Sequence, residues 1–154
     1  ERRRVRHLFR RDRPRQWRLL RSMRLHALDV ADASVDLVFC HQTFHHLSRQ
    51  QMALAQMFRV LKPGGLLLFA ESTRAYIHSW IIRLLFRHPM HAQRSADEYL
   101  AMIRDQGFNF GSQNVSLPYL WWSRSDLGAF EWFGFGVPAQ REETLVNLVA
   151  VKPG

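Results

Sequence analysis

The residues able to do chemistry are few and close together. His41, Gln42, Thr43, Phe44, His45 and His46 follow Cys40 directly, so a thiol, an amide, a hydroxyl and three imidazoles fall within seven positions. The His41 to His45 spacing imitates the zinc-hydrolase pattern H-E-x-x-H, which needs a glutamate as base and a helix that brings both imidazoles to one side. Gln42 stands where the glutamate is required and the stretch leaves a strand, so no metal site is expected here. An imidazole titrates near neutral pH, which makes His46 a candidate base; a helix-start histidine satisfied by backbone is the equal alternative. Glu71 ends a second apolar run and reads either as a cleft carboxylate that positions substrate or takes a proton, or as a solvated strand-end acid. Trp80, Trp121 and Trp122 are candidates for an apolar substrate wall, although aromatics beside a sheet more often fill a core.

These residues need elements to hold them. Val35-Asp36-Leu37-Val38-Phe39-Cys40 is a short, β-branched and aromatic run after the turn Asp32-Ala33-Ser34, and predicts a buried strand. Met52, Leu54, Ala55, Met57, Phe58 and Leu61 recur at helical spacing, with Ser48 as the expected N-cap and Pro63-Gly64-Gly65 as the stop. Leu66 to Ala70 predicts the next strand, so the three form a βαβ unit. Ligands in open α/β sheets sit beyond the carboxyl ends of strands, which puts Cys40, His41, Gln42 and Glu71 at one cleft. Further on, Tyr76 to Phe86 predicts one helix ended before Pro89. Ser95 to Glu98 is a capping box opening a helix that reaches Gly107. Phe108 to Leu120 should hold a strand, Ser125-Asp126 a short helix, and Leu145 to Val151 the last strand.

The chain has 154 residues, enough for one domain, with 47% hydrophobic residues to build a core. No apolar run approaches the ~20 residues that cross a bilayer. One cysteine excludes an internal disulfide framework, and a reducing, cytoplasmic setting is the default expectation. The net charge of +9 is misleading until it is located. Residues 1–24 hold eleven arginines against Glu1 and Asp12, and the remaining residues are electrically balanced. Dense like charge repels itself, so this segment is expected to be disordered or outside the domain, with a polyanion as its partner if it has one. The eight glycines all lie at or after Gly64.

Three motifs carry a resemblance. Asp32-Ala33-Ser34-Val35-Asp36-Leu37-Val38, then His45-His46-Leu47, then Phe58-Arg59-Val60-Leu61-Lys62-Pro63-Gly64-Gly65 before a strand ending at Glu71, resemble class I S-adenosylmethionine-dependent methyltransferases. The group is the small-molecule type 11 branch, similar to the enzymes of ubiquinone and menaquinone biosynthesis. The resemblance covers residues 25–154 and implies a partial Rossmann-like α/β fold, a mostly parallel sheet with helices on both faces and an antiparallel last strand. It implies S-adenosylmethionine as cofactor, touched by Cys40, His41 and Gln42, and a small-molecule methyl acceptor. Trp80, Trp121 and Trp122 would face that acceptor, which an apolar lid over residues 74–91 makes lipophilic. The family's glycine-rich cofactor turn has no counterpart before Gly64, because close backbone approach to a ligand needs glycine. The chain is therefore expected to be the C-terminal half of such an enzyme, from a truncated or mis-started reading frame, and inactive alone. Its first strand should have an unpaired edge inviting self-association or a partner chain. The competing expectation is a non-catalytic half-domain that binds a partner, with a basic polyanion-binding tail.

Overall fold

The computed structural model describes residues 28–85, 92–120, 129–135 and 143–154. The arginine-rich residues 1–24, and Trp121 and Trp122, lie outside them. Strand β1 (Val35–His41) leads through a 3-10 turn (Phe44–His46) into helix α1 (Gln50–Val60), and strand β2 (Leu61–Ser72) follows at once. Helices α2 (Arg74–Ile77), α3 (Trp80–Leu85) and α4 (Ala96–Asp105) come next, then the two-residue strand β3 (Val115–Ser116), α5 (Ala129–Trp132) and β4 (Leu145–Val151). The sheet order is β1-β2-β4-β3. β1 and β2 run parallel, and β4 runs antiparallel to both β2 and β3. The α/β class and the antiparallel last strand are present, and among the described strands the parallel part is confined to β1 and β2.

In-register partners place Cys40, Phe69 and Leu148 in one row across the sheet, and Val38, Leu67 and Ala150 in the next. This face packs on Ala53, Leu54 and Met57 of α1 and on Ala96, Tyr99 and Ile103 of α4. Phe44, Phe69 and Tyr99 meet edge to face at 5.2–6.0 Å between ring centres, the geometry aromatic quadrupoles favour. The opposite face carries Leu37, Phe39, Leu68, Val149 and Val151, and no described helix belongs to a core on that side.

Several local expectations shift by a few residues for identifiable reasons. α1 starts at Gln50 with Arg49 as N-cap and no side-chain cap, so Ser48 does not play that part. The Lys62-Pro63-Gly64-Gly65 stop lies inside β2 as a bulge, between the pairs Val35–Leu61 and Leu37–Leu66. Gly64 adopts φ +74°, and a Cβ on Gly65 would stand 2.8 Å from the Lys62 carbonyl oxygen, so both places need glycine. Lys62 pairs with Asp36 at 2.8 Å on the surface. The free carbonyls at the end of α1 are instead met by Lys152, whose Nζ donates to the Phe58 and Leu61 oxygens, each at 2.8 Å. Arg59 reaches the other way, donating to the Leu28 and Val30 carbonyls and to Asp32, and so anchors the chain entering β1.

The single helix expected over Tyr76 to Phe86 is two, α2 and α3, separated at His78 and Ser79. The Ser95 capping box is present in both directions: Glu98 N–H donates to Ser95 Oγ, and Ser95 N–H to Glu98 Oε2. The strand expected after Phe108 is reduced to β3. Residues 121–128, where the short helix was expected to open, lie outside the described residues.

Candidate active site

The site forms at the carboxyl ends of β1 and β2, where two adjacent parallel strands open a crevice. Its centre is Glu71. Period-2 alternation puts Glu71 on the same face as Leu67 and Phe69, which points its side chain under the helical layer. It is fully buried. A carboxylate taken out of water must have its charge met by donors, and here four converge. Oε1 accepts the N–H groups of Thr43 and Phe44, both at 2.7 Å, and the Cys40 thiol at 3.7 Å. Oε2 is 2.7 Å from Nδ1 of His45, itself buried.

The reason lies in helix chemistry. The first N–H groups of any helical turn have no intrahelical partner, and Thr43 offers the turn at Phe44–His46 no side-chain cap. Glu71 supplies that cap from 27 residues away in sequence. The chain reaches this turn by an abrupt reversal: Gln42 lies in the left-handed region at φ +49°, a conformation non-glycine residues rarely adopt. Ser72, the next residue of β2, donates to Gln42 Oε1 at 2.6 Å.

The expected site residues fall in distinct places. Cys40 is buried against Glu71, and burial first, then the neighbouring carboxylate, pushes its thiol far above the usual range, so it is a neutral hydrogen-bond donor. Burial and then the same carboxylate raise the Tyr99 hydroxyl. His41 is exposed and stacks on Phe39 with ring centres 5.7 Å apart. Gln42 is half-buried at the mouth, and among the described residues its amide nitrogen has no acceptor. His46 is exposed and its ring centre lies 4.1 Å from that of buried His45. The reading of Glu71 as a solvated strand-end acid is excluded by its burial. Trp80 is half-exposed at the start of α3. No group of three or more potential metal ligands comes together among the described residues.

Sequence reasoning met His45 only as a member of the histidine run and of the resemblance motif, and did not reach Gln50, Gln93 or Ser72. Gln50 donates to the carbonyls of Phe44 and Ala92, and Gln93 to that of His45, so the chain returning from α3 is tied to the 3-10 turn. Thr73 N–H donates to Thr144 O at 3.0 Å and Arg74 N–H to Arg94 O at 2.7 Å, pinning both ends of the 74–94 excursion beside the site. The signal for Glu71 was present: one acid in register with two core positions of an apolar strand.

Residues 3–69 match the family model described as a methyltransferase domain. Over those 67 of its 154 residues the chain is similar to that family. It is 54% identical over 44 residues to a malonyl-[acyl-carrier protein] O-methyltransferase of Coxiella burnetii, covering 29% of this chain and 16% of that protein. It is 46% identical over 88 residues to the Methylococcus capsulatus protein of the same activity, covering 53% of this chain and 31% of that one. The crystal structure of an S-adenosylmethionine-dependent methyltransferase from Thermotoga maritima superposes with a TM-score of 0.56 at 20% identity, covering 83% of this chain and 61% of that one. This chain thus spans less than a third of the length of either curated relative, and the structural likeness shows a Rossmann-like fold. The methyl donor of that Thermotoga maritima protein is S-adenosylmethionine. The described residues fit the polar end of such a ligand: an amide donor at Gln42 without an acceptor, beside an exposed imidazole at His41, at the strand ends where ligands of this fold sit. Among the described residues no helix is long and apolar enough to cross a membrane.

Proposed function

We propose that this chain is the C-terminal part of an S-adenosylmethionine-dependent methyltransferase that acts on a small-molecule acceptor. The observation that carries the reading is the crevice at the ends of β1 and β2, where a strained Gln42 presents an amide donor in a chain whose residues 3–69 match a methyltransferase-domain model. His41 and Gln42 contact the donor's amino-acid end, and Cys40 supports them from beneath as a neutral thiol. His46 stands at the edge as the base for an acceptor that must lose a proton. The bound donor supplies an electrophilic methyl group; the chain's own task is to hold the acceptor in line and exclude water. Trp80 and the exposed Leu84 and Leu85 of α3 favour a lipophilic acceptor, and the carrier-bound malonyl group named for the relatives is one example of an acyl acceptor. A lone, buried, free thiol at Cys40 fits a reducing cytoplasmic setting.

The chain alone is inactive in this reading, and β1 is the route by which another strand, from a partner or a second copy, joins the sheet. β1 pairs only with β2 among the described strands, and a free strand edge is a template for pairing. The test is an NMR titration with S-adenosylhomocysteine, which detects binding as weak as ~1 mM, about −4.1 kcal/mol. Shifts confined to residues 41–46 and reduced in Gln42→Ala support the reading. A folded chain with no shift in that region overturns it.

A further inference from the structure

The buried carboxylate of Glu71 is more elaborately held than a fold requires. A strand-end acid pointing at solvent needs no partner, and an apolar side chain in register with Leu67 and Phe69 would continue the core. Instead both carboxylate oxygens are in use, and everything they hold belongs to one short segment. Oε1 collects two consecutive backbone N–H groups, at Thr43 and Phe44, immediately after the left-handed Gln42. Oε2 binds Nδ1 of His45, whose ring packs against exposed His46. The next residue, Ser72, holds Gln42 itself. The end of β2 therefore grips every residue from 42 to 45 by side chain or backbone, and His46 through ring packing.

We infer that Glu71 is the positioning residue of this site: it fixes the Gln42 reversal and, through His45, the place of the His46 ring. The inference rests on the reading of residues 41–46 as the ligand-facing segment. Gln42 in the left-handed region stores strain, and such a conformation persists only where surrounding bonds over-determine it. The Ser72 bond to Gln42 and the Glu71 bonds to the two N–H groups that follow it hold the chain on both sides of this reversal. His45 is held with its proton on Nδ1, because the carboxylate oxygen beside it can only accept. Glu71 touches no ligand in this arrangement; it acts through the segment it holds.

A carboxylate has two accepting oxygens and a carboxamide has one, so Glu71→Gln keeps the size but cannot serve both sides. Three readouts separate the outcomes: the His45 ring nitrogen shifts, hydrogen exchange at the Thr43 and Phe44 amides, and S-adenosylhomocysteine-induced shifts at Gln42 and His46. In Glu71→Gln either the His45 proton moves to Nε2 or the two amides exchange at least ~10-fold faster, with protection in α4 and β4 unchanged. Ligand affinity falls by ~10-fold, the loss of about one charge-assisted hydrogen bond. His45→Gln, which leaves the backbone bonds in place, displaces the His46 signals while the Thr43 and Phe44 amides keep their protection. That second variant decides the matter if Glu71→Gln does not fold. Unchanged His45 nitrogens and unchanged amides in Glu71→Gln overturn the inference, as does a variant whose amides open while ligand affinity stays the same. Absence of ligand-induced shifts in the parent chain counts against the cofactor reading instead, and the nitrogen and exchange data then decide whether Glu71 holds the segment.

Discussion

The two faces of one sheet are made from the same strands and nearly the same residue types, and they end in opposite environments. On one, Leu67, Phe69, Val146, Leu148 and Ala150 are buried under α1 and α4. On the other, Phe39 is 64% exposed and Val149 38%, with Leu37 and Val151 close to the latter. A shallow apolar groove of about 340 Å³ runs along this second face between Phe39, Leu68, Val115 and Val149, and it does not touch the Glu71 cluster. Continuous apolar runs such as Leu66 to Phe69 belong to strands covered on both sides. The comparison teaches that strand composition states a demand for cover, while burial depends on what stands opposite. The chemistry follows the covered side: Glu71 reaches inward because it shares that face, and the loop it holds is drawn over the same edge.

The strongest way to break the comparison is to truncate one aromatic on each face. Phe69→Ala removes a ring packed against Phe44 and Tyr99 and is expected to cost about 3–5 kcal/mol in urea unfolding, whereas Phe39→Ala should cost under ~1 kcal/mol. Equal losses would mean that the second face is covered after all. A smaller probe sits at the start of α4, which roofs the buried face: Ser95→Ala deletes the capping bond to Glu98 N–H and should cost about 1 kcal/mol.

The same cap gives a pH test. The backbone bond from Ser95, aided by Arg74 and Arg94, holds the Glu98 carboxyl below its usual range. A depressed acid stabilises the fold above its ordinary pKa, near 4.5, and that contribution is lost as pH falls through the depressed value. The side chain is well exposed and screened, so the effect on the acid limb of the stability curve is small. It should vanish in Glu98→Gln. The smallest change in stability is expected from Phe39→Lys, within ~0.5 kcal/mol. Its informative readout is sedimentation velocity: a charge on the open face beside the β1 edge, which no second described strand covers, should lower self-association, and unchanged association would place the contact elsewhere.

How much was legible depended on how local the cause was. The span of β4 and the box at Ser95 were read correctly because their signals lie within three or four residues of the structure they specify. The helix over Tyr76 to Phe86 was misjudged because apolar spacing alone does not show where packing interrupts a turn, and His78–Ser79 carries no proline or glycine to mark the break. At the candidate site, strand-end logic placed Cys40 to Gln42 and Glu71 together, and the register of β1 with β2 bears out that adjacency. It did not reveal which way Glu71 points or that His45 is its partner.

Lys152 shows the same boundary from the opposite end of the chain. The cation beside the C-terminus of α1 is not the nearby Lys62, four residues after Phe58, but comes from a residue more than ninety positions away. By itself the sequence determined β1, α1, β2, α4 and β4, their order and the resemblance motifs, since these follow from propensity, periodicity and local sterics. Only the tertiary structure decided which donors meet which acceptors. Those pairings join residues far apart in sequence, and hydrogen bonding is too short-ranged to be assigned until the sheet and its helical cover have brought the groups within about 3 Å.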